Sequence, residues 1–451
     1  MNRLFAAACA AAFALAAPVA QAATLAITNA RILTAGPAGE IAQGTVVVRD
    51  GKIAAVGPNV AVPPGAKVVD AQGAVVAPGF VAVNSMLGAV EIGALGNDLR
   101  IKTPDIGAAF DVQYALNPDS VVIPVARLGG ITSAVVTPQA SGAGSGAHNH
   151  GDDQTLADFA GAPASEKTHG LFAGQAAVIQ LARGQDPLLR AKVAMVTPFG
   201  ETGASLAGGA RGAEIVLIKE ALADVRAYMR NRSAFERAAY RDLALSRADL
   251  EALIPVVDGR MPLIAVADRA SDIRAVLRLA REEKIKVILS GGAEAWRVAP
   301  ELAAAGVPVL LNPIHNRPVS LEALGATMEN AARLEKAGVM VAIEGASGAH
   351  RAHEMRYNAG IAVANGMSPA GALAAVTLNP AKIFGVEGRV GSLEPGKDAD
   401  LVLWSGDPFE PLSQPQLILV RGEEQPLTSR KIELQDRYKD LGGAYPPAYD
   451  H

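Results

Sequence analysis

Between residues 24 and 70 the chain alternates short apolar runs with turn residues and reads as a set of strands. Residues 25–32 form one. Residues 45–49 and 53–56 flank Asp50-Gly51, a dipeptide that supplies the positive φ angles of a hairpin turn. The same texture returns at residues 399–404 and 416–421. Two β segments at opposite ends predict one small β domain completed by both termini, with residues 23–78 as its N-terminal part and 381–428 as its C-terminal part.

The middle of the chain reads differently. Val/Ile-rich runs recur at residues 80–84, 132–136, 177–181, 192–196, 263–267, 287–290, 307–311 and 339–343. They do not alternate with polar residues, as expected of parallel strands buried on both faces. Helical patterns at 271–284, 321–336 and 351–364 separate several of them. In the first of these, Ile273, Val276, Leu277 and Leu279 share one face. The expectation is an α/β fold, a (β/α)8 TIM-type barrel over residues 79–380. A doubly wound open sheet is the runner-up. No glycine-rich phosphate-binding string follows a strand.

Three segments depart from the barrel rhythm. Residues 211–255 read as a helical excursion, Arg-rich between 214 and 253 and expected to be solvated. Residues 138–170 are rich in Gly, Ala, Ser and His and read as a long loop. The tail, 429–451, is expected to lack order.

At the N-terminus, Asn2-Arg3 precedes an apolar run over residues 4–17 and Ala20-Gln21-Ala22, an A-x-A cleavage site. This predicts a signal peptide over residues 1–22 and an exported, periplasmic or secreted protein. No later stretch is long and apolar enough to predict membrane insertion. The 451 residues are 50% hydrophobic and carry a formal net charge of −4. That balance excludes a disordered chain and a basic field for nucleic acid. The single cysteine, Cys9, lies in the signal segment, so disulfides and cysteine-based metal sites are not expected in the mature chain.

Two strings carry a resemblance. Val76-Ala77-Pro78-Gly79-Phe80-Val81 resembles the step from a β domain into the first barrel strand of the amidohydrolase superfamily. Gly391-Ser392-Leu393-Glu394-Pro395-Gly396-Lys397-Asp398-Ala399-Asp400-Leu401-Val402 resembles the string that re-enters the β domain in enzymes such as imidazolonepropionase and dihydroorotase. Thr377-Leu378-Asn379-Pro380-Ala381 also fits, and Asn117-Pro118-Asp119-Ser120 with residues 123–127 is similar to a secreted branch. The resemblance implies a barrel with a composite β-sandwich and hydrolysis of cyclic amides or other non-peptide C–N bonds. It also implies divalent metal held by an H-x-H pair after strand 1, histidines on strands 5 and 6, an aspartate after strand 8 and often a lysine on strand 4.

The aligned positions read otherwise. Asn84-Ser85-Met86 stands for H-x-H, Val266 and Ser290 for the strand 5 and 6 histidines, and Ala346 for the strand 8 aspartate. An amide and a thioether are poor zinc ligands, so no metal is expected there. A divalent ion such as zinc is expected only at a displaced site. His148 and His150, followed by Asp152 and Asp153, form an H-x-H with two carboxylates; His169 ends the same segment, and His350, His353 and Glu354 share a helical face. Asp268, Asn312, His315, Asn316 and Glu344 fall at expected strand ends, where barrel pockets form. Asp268 or Glu344 is the candidate general base, with His315 or His350 as acid. Three functions stay open. One is an exported C–N hydrolase, the second a non-catalytic protein binding a small molecule or short peptide in the barrel pocket, and the third partner docking through the helical excursion. A homo-oligomer is left open as well.

Overall fold

The computed structural model describes residues 24–91, 98–101, 106–140, 168–314, 318, 320–345 and 348–439. The N-terminal runs form β1 (Thr24–Leu33), β2 (Glu40–Arg49), β3 (Lys52–Gly57), β4 (Lys67–Asp70) and β5 (Val75–Pro78). β2 and β3 pair antiparallel across Asp50 and Gly51, whose φ values of 53° and 74° are both positive. This is the turn that matches the right-handed twist of two strands, and it is why the Asp-Gly pair was readable.

The barrel follows as β6 (Phe80–Ser85), β7 (Ile131–Val136), β8 (Gly174–Gln180), β9 (Leu188–Pro198), β10 (Leu263–Ala267), β11 (Val287–Gly291), β12 (Val309–Leu311) and β13 (Val341–Ile343). They form one eight-stranded sheet in chain order, nearly closed, with β13 returning beside β6. The mixed α/β fold expected for the middle of the chain is present. One strand departs from the all-parallel expectation, because β8 runs antiparallel to both β7 and β9. The link between β8 and β9, residues 181–187, is too short for a crossover helix and can only turn the chain back.

Alternation along the strands sorts the side chains into two cores. Val81, Val83, Val135, Val178, Val196, Ile264, Ile288, Leu310 and Ala342 form the barrel interior. Phe80, Met195, Leu263, Ala265, Leu289, Val309 and Val341 belong to the cluster shared with the helices. The helices are α1 (Ile123–Leu128), α2 (Gly200–Leu206), α3 (Arg211–Glu236), α4 (Arg247–Val257), α5 (Ala270–Glu283), α6 (Ala299–Ala305), α7 (Asn330–Lys336), α8 (Met355–Ala364), α9 (Pro369–Val376) and α10 (Leu378–Ile383). Only the second half of the 321–336 pattern becomes α-helix, and residues 349–354 form a 3₁₀ turn ahead of α8. Phe384 and Val386, just past α10, join the interior cluster and close the barrel at its strand N-terminal end.

The chain then returns to the first sheet through β14 (Leu401–Trp404), β15 (Pro415–Val420) and β16 (Glu423–Glu424). β14 pairs antiparallel with β5, so strands from both ends of the chain lie in one sheet, ordered β16-β15-β14-β5-β1-β2-β3 with β4 beside β1. A last helix, α11 (Arg430–Lys439), occupies part of the tail expected to be without order. None of its residues is fully buried.

The string 391–402 is explained by this junction. Asp398 accepts from Lys52 (2.6 Å), from Arg389 (2.7 and 2.9 Å) and from Gln180 (3.1 Å). Asp400 accepts from Gln180 Nε2 (3.0 Å) and from the Arg421 backbone N–H (2.8 Å). The two aspartates therefore tie the terminal sheet to the end of β8. Burial pushes the Asp400 carboxyl up to about 6 against the pull of its donors.

The helical excursion is α3, kinked at Asn231, and α4, with a break over residues 237–246. Ser246 caps α4 by accepting from Asp249 N–H (3.2 Å). Arg232, Arg241 and Arg247 are more than half exposed, as expected of a solvated face, yet most of the arginines also have carboxylate partners. Arg226 donates to Glu283 (2.6 Å), Arg232 and Arg247 to Glu251 (2.9 and 3.1 Å), and Arg241 lies 2.5 Å from Asp224. Glu214, on α3, is 2% exposed and faces Asp272, Arg211 and Glu322. Burial, reinforced by Asp272, pushes its carboxyl up to about 8. A raised carboxyl favours folding while protonated. Its contribution is full below the ordinary value of 4.5 and is lost as pH rises through about 8. Glu214→Gln is therefore expected to raise stability at pH 8.5 by about 2 kcal/mol, after allowing for solvent screening. Melting from pH 5 to 9 checks this, and an equal alkaline loss in both proteins would refute it.

Candidate active site

The site is built at the C-terminal ends of the barrel strands. Asn84, near the end of β6, has φ 48°, a left-handed conformation that Asn tolerates better than most residues. The register between β6 and β7 shifts at this point. The kink breaks the strand alternation expected to put residues 84 and 86 on one face. Asn84 Nδ2 donates to Ser290 Oγ (2.7 Å) and to Glu344 Oε1, whereas Met86 packs with the outer core. Ser85 turns away to accept from Leu87 N–H (3.1 Å).

Ser290 is buried on β11, and its hydroxyl also donates to Glu344 Oε1 (3.4 Å). Glu344 follows β13. Its N–H donates to Leu311 O (2.9 Å) and its carbonyl accepts from Asn358 of α8 (2.9 Å), which fixes the backbone that presents the carboxyl. Burial pushes the Glu344 carboxyl up to about 7, with the charge of Asp268 adding and the donors Asn84 and Ser290 opposing. Asp268, after β10, accepts from Ala293 N–H at Oδ1 (3.0 Å). A side chain at position 291 would stand 2.7 Å from that oxygen, and Gly291 has φ 88°, so the close approach requires glycine. Val266 sits beside Ser290 in the β10–β11 register and is 37% exposed.

The arrangement brings together Asn84, Ser290 and Glu344, with Asp268 near enough to act on the Glu344 charge. It does not bring the described histidines to them. His350 is exposed. His353 is half-buried against Gly129, at the end of α1, where burial holds its imidazole below the usual range. Glu354 is taken by Arg351 (2.7 Å). Asn312 accepts from Ile314 N–H (3.2 Å), closing a local turn. His148, His150, His315, Asn316 and Ala346 lie outside the described residues, as do the side chain of His169 and the segment 1–22. Among the described residues no three His, Cys, Asp or Glu side chains are grouped to hold a metal ion.

Chemically, the cluster offers a carboxyl that exchanges a proton near neutrality, an amide N–H and a hydroxyl aimed at it, and an apolar wall at Val266. The positions were readable as strand ends. The partnership was not, because Asn84 lies 206 residues from Ser290 and 260 from Glu344 in sequence.

Residues 287–428 match the model described as the amidohydrolase family. Among solved structures, an amidohydrolase from Thermotoga maritima MSB8 is 27% identical, with a TM-score of 0.75 over 90% of this chain and all of that one. Molinate hydrolase (17% identical, TM-score 0.51, 90% of this chain and 95% of that chain) and phenylurea hydrolase B (19%, 0.50, 90% and 97%) share the fold. The family match, covering β11 to β16, together with the Thermotoga structure, supports placing the chain in the amidohydrolase superfamily.

Proposed function

We propose that the chain is an exported hydrolase of non-peptide C–N bonds that takes a small molecule or short peptide at the barrel mouth and works by carboxyl acid–base chemistry. The observation that carries this reading is the half-buried Glu344 carboxyl at the strand ends, held by Asn84 and Ser290 and raised to about 7. Glu344 takes a proton from water as the water oxygen bonds to the substrate carbonyl carbon. It returns that proton to the nitrogen as the C–N bond breaks, so one group serves as base and then acid. Asn84 and Ser290 hold the carboxyl in place, and Asp268 keeps its proton affinity high.

The divalent metal implied by the superfamily does not fit the donor set described at these strand ends. Asn84 turns its amide nitrogen, which has no lone pair to give a metal, toward Ser290 and Glu344, Val266 has no donor atom, and Met86 packs elsewhere. Cyclic amides, carbamates and ureas offered to protein stripped with chelator should release amine, while added zinc leaves the rate unchanged. Turnover that returns only with stoichiometric zinc would overturn the reading.

A second reading is a non-catalytic binding protein. It is favoured by one observation, that one of the two Glu344 carboxylate oxygens, Oε1, is already taken by both Asn84 and Ser290. A saturable thermal shift with those compounds, without amine release, would select it.

A further inference from the structure

A cavity of about 940 Å³ opens at the end of the barrel opposite the mouth, where β9 to β12 begin. Its apolar floor includes Val193, Ile288 and Phe384, which belong to the barrel interior. Its rim is cationic. Arg278 and Arg281 come from the last turns of α5, Lys286 from the entry to β11, Lys382 from α10 and Arg190 from β9, and all five are exposed.

The rim holds more positive charge than its own acids neutralise. Glu301, a carboxylate on the cavity wall, is taken by Arg274 (2.9 Å). Arg190 donates to the carbonyls of Phe384 (3.3 Å) and Gly385 (2.7 Å), which fixes its guanidinium at the rim without neutralising it. Arg278, Arg281, Lys286 and Lys382 make no ion pair within 4.0 Å among the described residues. This contrasts with the α3–α4 hairpin, where most arginines have carboxylate partners, and with a chain whose net charge is −4. The dipole of α5 accounts for a cation or two at its C-terminus. It does not account for Lys286, Lys382 and Arg190, which come from three other elements to the same concavity.

We infer that this cavity is a binding site for a small oligoanion carrying phosphate or carboxylate groups, separate from the barrel mouth. The guanidinium fork suits the paired oxygens of either group, and the concave shape suits a compact ligand. Occupancy relieves the repulsion among the rim cations and bridges α5, α10 and the start of β9.

Calorimetric titration of the full mature chain with inorganic tripolyphosphate, and separately with citrate, tests this. The expected result is one saturable site for at least one of the two, weakening as salt is raised, with the tighter anion identifying the phosphate or the carboxylate class. The combined variant Arg278→Ala, Arg281→Ala, Lys382→Ala should lose at least about tenfold in affinity. Its melting in the absence of anion serves to verify its fold. The variant Arg230→Ala, Arg237→Ala, Lys431→Ala removes equal charge elsewhere and should bind as the parent does. Non-saturable binding of both anions, a stoichiometry well above one, or equal weakening in the two variants would overturn the proposal.

Discussion

Glu344→Gln is expected to lower turnover by about 10²–10⁴-fold, the usual worth of a positioned acid–base group, while ligand affinity changes little. Glutamine keeps the shape and still accepts from Asn84 and Ser290, so the pocket is preserved. What is lost is the exchangeable proton. The parent's kcat/KM should rise with pH through about 7 and then level, because the base must be ionised to accept from water. Removing Asp268 by Asp268→Asn should move that rise to lower pH, since its charge contributes to the high value. A Glu344→Gln protein that turns over like the parent, or a parent profile flat from pH 5 to 9, would remove Glu344 from the chemistry.

Trp404→Ala is expected to cost about 3–5 kcal/mol of stability, the range for truncating a fully buried large aromatic. Trp404 is wholly buried on β14 and stacks on Phe80 at the start of β6, with ring centroids 5.9 Å apart and planes at 23°. The Arg356 guanidinium lies 5.1 Å from its ring centre, and donates to the carbonyls of Pro408, Glu410, Pro411 and Ser413. The indole thus links the terminal sheet, the first barrel strand and the loop after β14. Its site has little room to collapse, because Gly130 backs onto the ring so closely that a Cβ there would lie 2.4 Å from it. Trp404→Phe keeps the stack and should recover most of the loss. Urea unfolding measures both; a Trp404→Ala loss below about 1 kcal/mol would mean that the junction carries little of the stability.

The two effects draw on different amounts of sequence information. The strands were legible because buried parallel strands are written as uninterrupted Val and Ile. Asp50-Gly51 announced its turn through its backbone preference. The direction of β8 was not legible, since composition does not distinguish the two senses and only the short 181–187 link decides. At the mouth, Asp268 and Glu344 were legible as strand ends, and Asn84 and Ser290 as the residues standing where the resemblance implies ligands. The hydrogen bonds among them depend on a left-handed kink at Asn84, which alternation alone does not predict. Histidine, the residue type that chemistry favours, drew attention to His350 and His353. The fold sets the first at the surface and the second behind α1, because a 3₁₀ turn and Gly129, rather than the pocket, determine their surroundings.

The pairing of β5 with β14 also has a consequence for biogenesis. Residues 75–78 leave the ribosome more than three hundred residues ahead of their neighbour at 401–404. Until that neighbour emerges, one hydrophobic border of the N-terminal sheet has no mate, and such borders recruit other chains. Products truncated ahead of Leu401 should therefore clump rather than persist as shortened folded species, whereas cuts after residue 428 spare the seam and should stay monodisperse.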